Sequence, residues 1–145
     1  MDKAPIVIIV AVLVLIHVVL YLSLRPVDIE RIQTRLERDG LDISSFEAIE
    51  RPSHNAAEEW IMWVQDDNAF VQVFRFDDQD RFEACFNLYR DSRQARQALN
   101  RHAGRGIRGD TAGPTVVAQN GWFILTVTSH NEDLRSRIIQ LFRSL

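Results

Sequence analysis

The chain has 145 residues, 46% of them hydrophobic and 26% charged, which is room for one domain of ordinary size and an appendage. Its single cysteine, Cys85, excludes an intramolecular disulfide and any metal site built from several thiolates. The net charge of −3 hides an asymmetry: residues 1–83 carry sixteen acids and eight bases, net −8, while residues 84–145 carry four acids and nine bases, net +5.

The appendage comes first. Ala4 to Leu24 contains no formally charged residue, and its twenty-one positions would make roughly 31 Å of helix, enough to cross a bilayer core. Asp2 is placed to cap this helix, Pro5 suits its first turn, and Arg25 with Pro26 marks its end. A cleaved signal peptide would have a shorter apolar region and small residues before the cut, where this chain has Tyr21, Leu22 and Leu24. The sequence therefore predicts an uncleaved membrane anchor over residues 1–25.

Residues 26–40 read as an amphipathic juxtamembrane connector. Ile29, Ile32 and Leu36 share one side of a helix, Arg31, Arg35 and Arg38 another, and Gly40 ends it. Residues 41–145 then read as a compact domain. A first strand is expected within 41–51, closed by Pro52, and Asn55 three residues before Glu58 resembles a capping box that would add a turn of helix. Residues 60–65 and 70–76, rich in aromatic and β-branched side chains and separated by Asp66 to Ala69, form a hairpin. Residues 81–90 fit two periods. Phe82, Ala84, Phe86 and Leu88 suit a strand, Phe82, Cys85, Phe86 and Tyr89 a helix, and the strand is slightly preferred because Asp91 and Ser92 look like a fresh helix cap. Residues 104–114 hold four of the six glycines and read as a long flexible loop. Asn120-Gly121 marks a second hairpin with a type I′ turn, and Leu134, Ile138, Leu141, Phe142 and Leu145 trace a final helix. The expected class is α+β: a transmembrane helix followed by a small two-layer domain, with four to six mainly antiparallel strands, two hairpins and two or three helices.

Few residues suggest chemistry. His17 interrupts the apolar run, and Tyr21 lies one turn on, so the pair is a candidate contact face toward another membrane helix; the alternative is a tolerated neutral imidazole with an interfacial tyrosine. Arg93, Arg96, Arg101, Arg105 and Arg108, with Arg90 before them, form a basic run that reads first as a solvated helix face and, as a functional site, could meet anionic lipid or an acidic partner surface. Nucleic acid is disfavoured, because no aromatics are interleaved for stacking and no reading helix or RNA-binding motif accompanies the run. The acids at 66–67 and 77–83 lack the register of a calcium loop, and His54 and His130 stand in Ser-His-Asn triplets that read as helix caps. No catalytic residue, metal or cofactor is implied: nucleophile elbow, phosphate loop and zinc-ligand spacing are all missing from the sequence.

These features predict a single-pass membrane protein, in the inner membrane if the cell is bacterial, whose domain is an interaction or accessory module of a larger membrane assembly. Its partners would be the bilayer through residues 4–24 and a membrane protein or a second copy. The alternatives are a membrane-tethered enzyme or small-ligand sensor using loop 104–114, and anionic-lipid binding through the basic run 90–108. Arg25, Arg31, Arg35 and Arg38 after the span lean toward a cytoplasmic domain, with a periplasmic or extracellular one left open.

Overall fold

A computed structural model describes residues 4–23, 26–109 and 112–145, with the side chains of the first helix described from Val7 to Tyr21. That helix, α1, runs Ala4–Ser23, twenty residues or roughly 30 Å of backbone, and every described side chain on it is exposed. Across the described residues no helix is long and apolar enough to cross a membrane; Val7 to Tyr21 alone is fifteen residues, or roughly 22 Å. The expected cap Asp2, and the flanking Lys3 and Arg25, lie outside the described residues.

The rest is an α+β domain around a five-stranded antiparallel sheet. The strands are β1 (Ile43–Ala48), β2 (Glu58–Val64), β3 (Ala69–Arg75), β4 (Thr115–Asn120) and β5 (Phe123–Thr128), in spatial order β1-β2-β3-β5-β4. Helices α2 (Ile29–Arg38) and α5 (Glu132–Arg143) pack on one face, and α3 (Gln79–Arg90), α4 (Ser92–Leu99) and a 3₁₀ helix (Asn100–Arg105) on the other. The domain thus has three layers where two were expected. The reason is visible in the central strands. β5 (FILTVT) is buried at every position and β3 (AFVQVFR) at all but the last, so neither face of the sheet can be left to water. Val71, Val73, Leu125 and Val127 meet α2 and α5, while Phe74 and Ile124 meet α3.

Local chemistry sets the helix ends. Asp28 caps α2 by accepting from the Arg31 amide at 2.8 Å. Gly40, at φ +81°, closes it with paired bonds from Gly40 N–H to Glu37 C=O (2.9 Å) and from Leu41 N–H to Leu36 C=O (3.0 Å), and Leu36 and Leu41 are both buried. The connector's Ile32 and Leu36 therefore lie inside the domain core, with α2 against α5.

Several expectations are corrected. Residues 81–90 are helical, because Asp78 caps α3 through the Arg81 amide (2.9 Å) and Phe82, Cys85 and Tyr89 form the buried stripe. No helical turn follows Asn55: His54 and Asn55 both adopt φ +54°, and Glu58 begins β2. The second hairpin turns at Gly121-Trp122, one residue later than expected. Positive φ at Gly121 alone fits a type II′ pattern, since Asn120 is still paired with Phe123. Finally, α5 is capped by Asn131, which accepts from the Leu134 amide at 3.0 Å, with Ser129 Oγ accepting from the Asn131 amide. The glycine-rich segment is docked. Ile107 is buried, and a Cβ on Gly109 would stand 2.1 Å from the Arg96 carbonyl oxygen, so only glycine fits there.

Candidate functional site

The densest polar chemistry lies beneath the α3–α4 layer, on strands that read as purely structural. Gln72 sits mid-strand in β3, and its side chain points into the layer between sheet and helices. Its Oε1 accepts from the Tyr89 hydroxyl (3.3 Å) and the Thr126 hydroxyl (3.4 Å); its Nε2 donates to Glu59 Oε1 (3.4 Å) and His102 Nε2 (3.1 Å). Glu59, on β2, is almost fully buried and accepts from Arg101 Nη2 at 2.6 Å, from the Ser53 amide at 2.7 Å and from the Ser53 hydroxyl at 2.8 Å. A buried carboxylate is costly unless paired, and here the guanidinium and the Ser53 donors satisfy it.

His102 is fixed by the same logic. Its Nε2 accepts from Arg101 Nε (3.0 Å) as well as from Gln72, which places the ring proton on Nδ1, a buried atom without a partner among the described residues. Burial first, then the adjacent Arg101, lowers its pKa to about 4. His54 caps the network at its outer side, with Nε2 3.2 Å from the Tyr89 hydroxyl, and burial lowers its pKa too. Burial raises the Tyr89 hydroxyl pKa and pushes the Cys85 thiol up to about 12. Chemically, the arrangement holds protons in place. The lone pair a base would use is already occupied by two donors, and the thiol stays protonated at neutral pH.

The basic run is dispersed. Arg101 turns inward to Glu59, Arg105 bonds Glu47 on β1 at 3.0 Å, and Arg96 folds back onto the Ser92 carbonyl of its own helix. The Arg105 pair, through its hydrogen bond, lowers the Glu47 pKa and raises that of Arg105. Arg93 is exposed on α4, Arg108 makes interactions of its own, and Arg90 lies over the Phe86 ring at 5.7 Å. Much of the charge asymmetry between the chain's halves is thus spent internally: Arg101–Glu59, Arg105–Glu47 and Arg137–Asp39 each join a basic second-half residue to an acidic first-half one.

His17 and Tyr21 fall on one stripe of α1, along a shallow groove with Val10, Leu13, Val14 and Val18. Near the glycine-rich segment a cleft of about 350 Å³ is lined by Trp63, Gly106, Ile107, Ala112, His130 and Asn131 among others, and neither Arg105 nor Arg108 lines it. Asp110 and Thr111 of that segment lie outside the described residues. Among the described residues no three His, Cys, Asp or Glu side chains gather as a metal site would require.

The sequence reading missed the Glu59–Gln72–His102 network. One signal was available: Gln72 is a lone amide between Val71 and Val73, where a strand buried on both faces must give it partners. Compared with protein families, curated proteins and solved structures, the chain matches none.

Proposed function

We propose that this chain is a single-pass membrane-tethered interaction module: α1 holds it to a bilayer, and the α+β domain presents a binding surface without catalysing a reaction. The observation that carries the reading is the exposure of α1. From Val7 to Tyr21 all its side chains stand out from the protein, and none belongs to the buried clusters of the domain. Each exposed Val, Leu or Ile forgoes roughly 1.5–3 kcal/mol relative to burial, so a twenty-residue apolar helix favours an apolar surrounding supplied from outside. The uncharged run of residues 4–24 in the sequence, rather than the described part of α1 alone, supplies the length that a hydrocarbon core requires. His17 and Tyr21 on one stripe support a contact with another helix at that depth.

The non-catalytic half of the reading is supported by how the polar groups of the α3–α4 layer are engaged. Glu59, Gln72 and His102 are buried and engaged, and Arg101 and Arg105 are tied to acids rather than gathered for a ligand. Crosslinking in native membranes followed by mass spectrometry tests the proposal. Crosslinks from the domain to a second protein or a second copy are expected; recovery of monomer alone under several crosslinkers of different reach would contradict it. A reporter active on only one side of the membrane, fused to the domain, is expected to report the cytoplasmic side.

A further inference from the structure

The geometry points to the free edge of β4 as the place where an extended acidic segment of a partner protein adds a sixth strand to the sheet. This rests on the interaction-module reading and names its binding surface. Among the described residues β4 has one strand neighbour, β5. The Ser129 N–H donates to the Pro114 carbonyl (3.2 Å), and the register runs without a break through Val116↔Val127 and Ala118↔Leu125. In an antiparallel ladder that parity turns the backbone groups of residues 114, 116 and 118 toward β5 and those of Thr115, Val117 and Gln119 outward.

The other edge of the sheet is blunted. β1 carries a register break between Ile43 and Ser45 and a charged Glu47 held by Arg105, both of which hinder strand addition. β4 (TVVAQN) has no charge and no break. Along it runs a cleft of about 450 Å³, walled by Tyr89 and Arg90 of α3 and by Arg135, Ile139 and Arg143 of α5. Both walls carry guanidiniums, Arg90 on α3 and Arg135 and Arg143 on α5, and among the described residues Glu132 is the one acid lining the cleft. Arg135 bonds the Ser129 carbonyl through Nη1 but keeps a buried Nε without a partner among the described residues. An extended strand laid between the walls would pair its backbone with Thr115, Val117 and Gln119, and its side chains would meet α3 and α5 alternately. Acidic residues in that strand complement the arginines; a second copy of this cleft would bring arginine against arginine.

The test uses the full chain in lipid nanodiscs and the peptide acetyl-Glu-Glu-Val-Val-Glu-Glu-amide, which places two Glu and one Val on each wall. Titration is expected to slow amide hydrogen exchange at Thr115, Val117 and Gln119, with binding that weakens several-fold between low and high salt. The Lys-Lys-Val-Val-Lys-Lys counterpart should bind at least tenfold more weakly. Val117→Pro removes an outward N–H at a position where an edge strand tolerates proline, and should weaken binding at least tenfold. Arg90→Glu with Arg143→Glu, two exposed positions, should reverse the preference toward the lysine peptide, and this variant decides the matter if Val117→Pro does not fold. Unchanged edge exchange at saturating peptide, equal binding of both peptides, or an unaltered charge preference in the double variant would overturn the assignment. So would edge protection that grows with protein concentration alone, which would identify a second copy. Loss of the peptide effect with membrane crosslinks intact removes the cleft only; crosslinks that vanish while the peptide still binds remove the membrane-module reading instead.

Discussion

Val10, Leu13 and Val14 in α1 and Val71, Val73 and Val127 in the sheet are side chains of the same kind, yet the first three are 53–59% exposed and the last three are 0% exposed. The domain closes its aliphatic residues between two helical layers. Among the described residues no such layer covers α1. Identical chemistry thus stabilises the fold in one region and remains available for association in the other.

The sharpest way to break this contrast is to make one change in both places. Leu125→Ala, in the centre of β5, should cost about 3 kcal/mol of unfolding free energy, through lost burial and the cavity left behind. Leu13→Ala should leave domain unfolding unchanged, because Leu13 touches none of the buried clusters. Urea denaturation of the two variants in detergent checks this; comparable losses would mean that α1 is part of the domain's stability.

A second contrast lies within the domain, between the all-apolar layer under α2 and α5 and the polar layer under α3 and α4. His102 has a folded pKa of about 4 against an ordinary value of 6.5, so the unfolded chain takes up its proton first as pH falls. Stability from this group is fully present above about pH 6.5 and declines toward pH 4, by about 3 kcal/mol in all. The lowered pKa of His54 acts in the same direction. Denaturation at pH 7, 5.5 and 4 should show that slope in the native chain and a shallower one in His102→Gln. Equal slopes would mean that the polar layer does not sense acid through His102.

Cys85 reports on the same layer. Buried, with a thiol pKa of about 12, it should resist alkylation at pH 8 until the domain unfolds. Labelling within minutes under native conditions would show that α3 opens locally. The smallest effect is expected at the surface: Arg75→Gln breaks an exposed pair with Glu58 and should cost under about 1 kcal/mol.

Much of the strand pattern could be read from residues alone. The aromatic and β-branched runs at 60–65 and 70–76, with the turn acids between them, gave the first hairpin, and the three- and four-residue steps from Leu134 gave α5. Residues 81–90 were harder because Phe82 and Phe86 fit both periods, and the arbiter was Asp78, a cap that reads equally well as a turn acid. The third layer was harder to read: in FILTVT, Thr126 and Thr128 alternate with Leu125 and Val127 as on a half-exposed strand, yet both threonines are buried. The polar network was far less legible. Glu59, Gln72, Tyr89 and His102 are separated by up to 43 positions and meet only once the helices fold over the sheet. The basic run is the opposite case: its arginines lie close together in sequence but point to different partners.

Alkaline carbonate extraction of membranes from cells making the full chain, beside a variant lacking residues 1–25, tests the central claim most directly. The tethered reading predicts that the full chain stays in the membrane pellet and the shortened variant is released as a folded domain. Release of the full chain into the supernatant would contradict it.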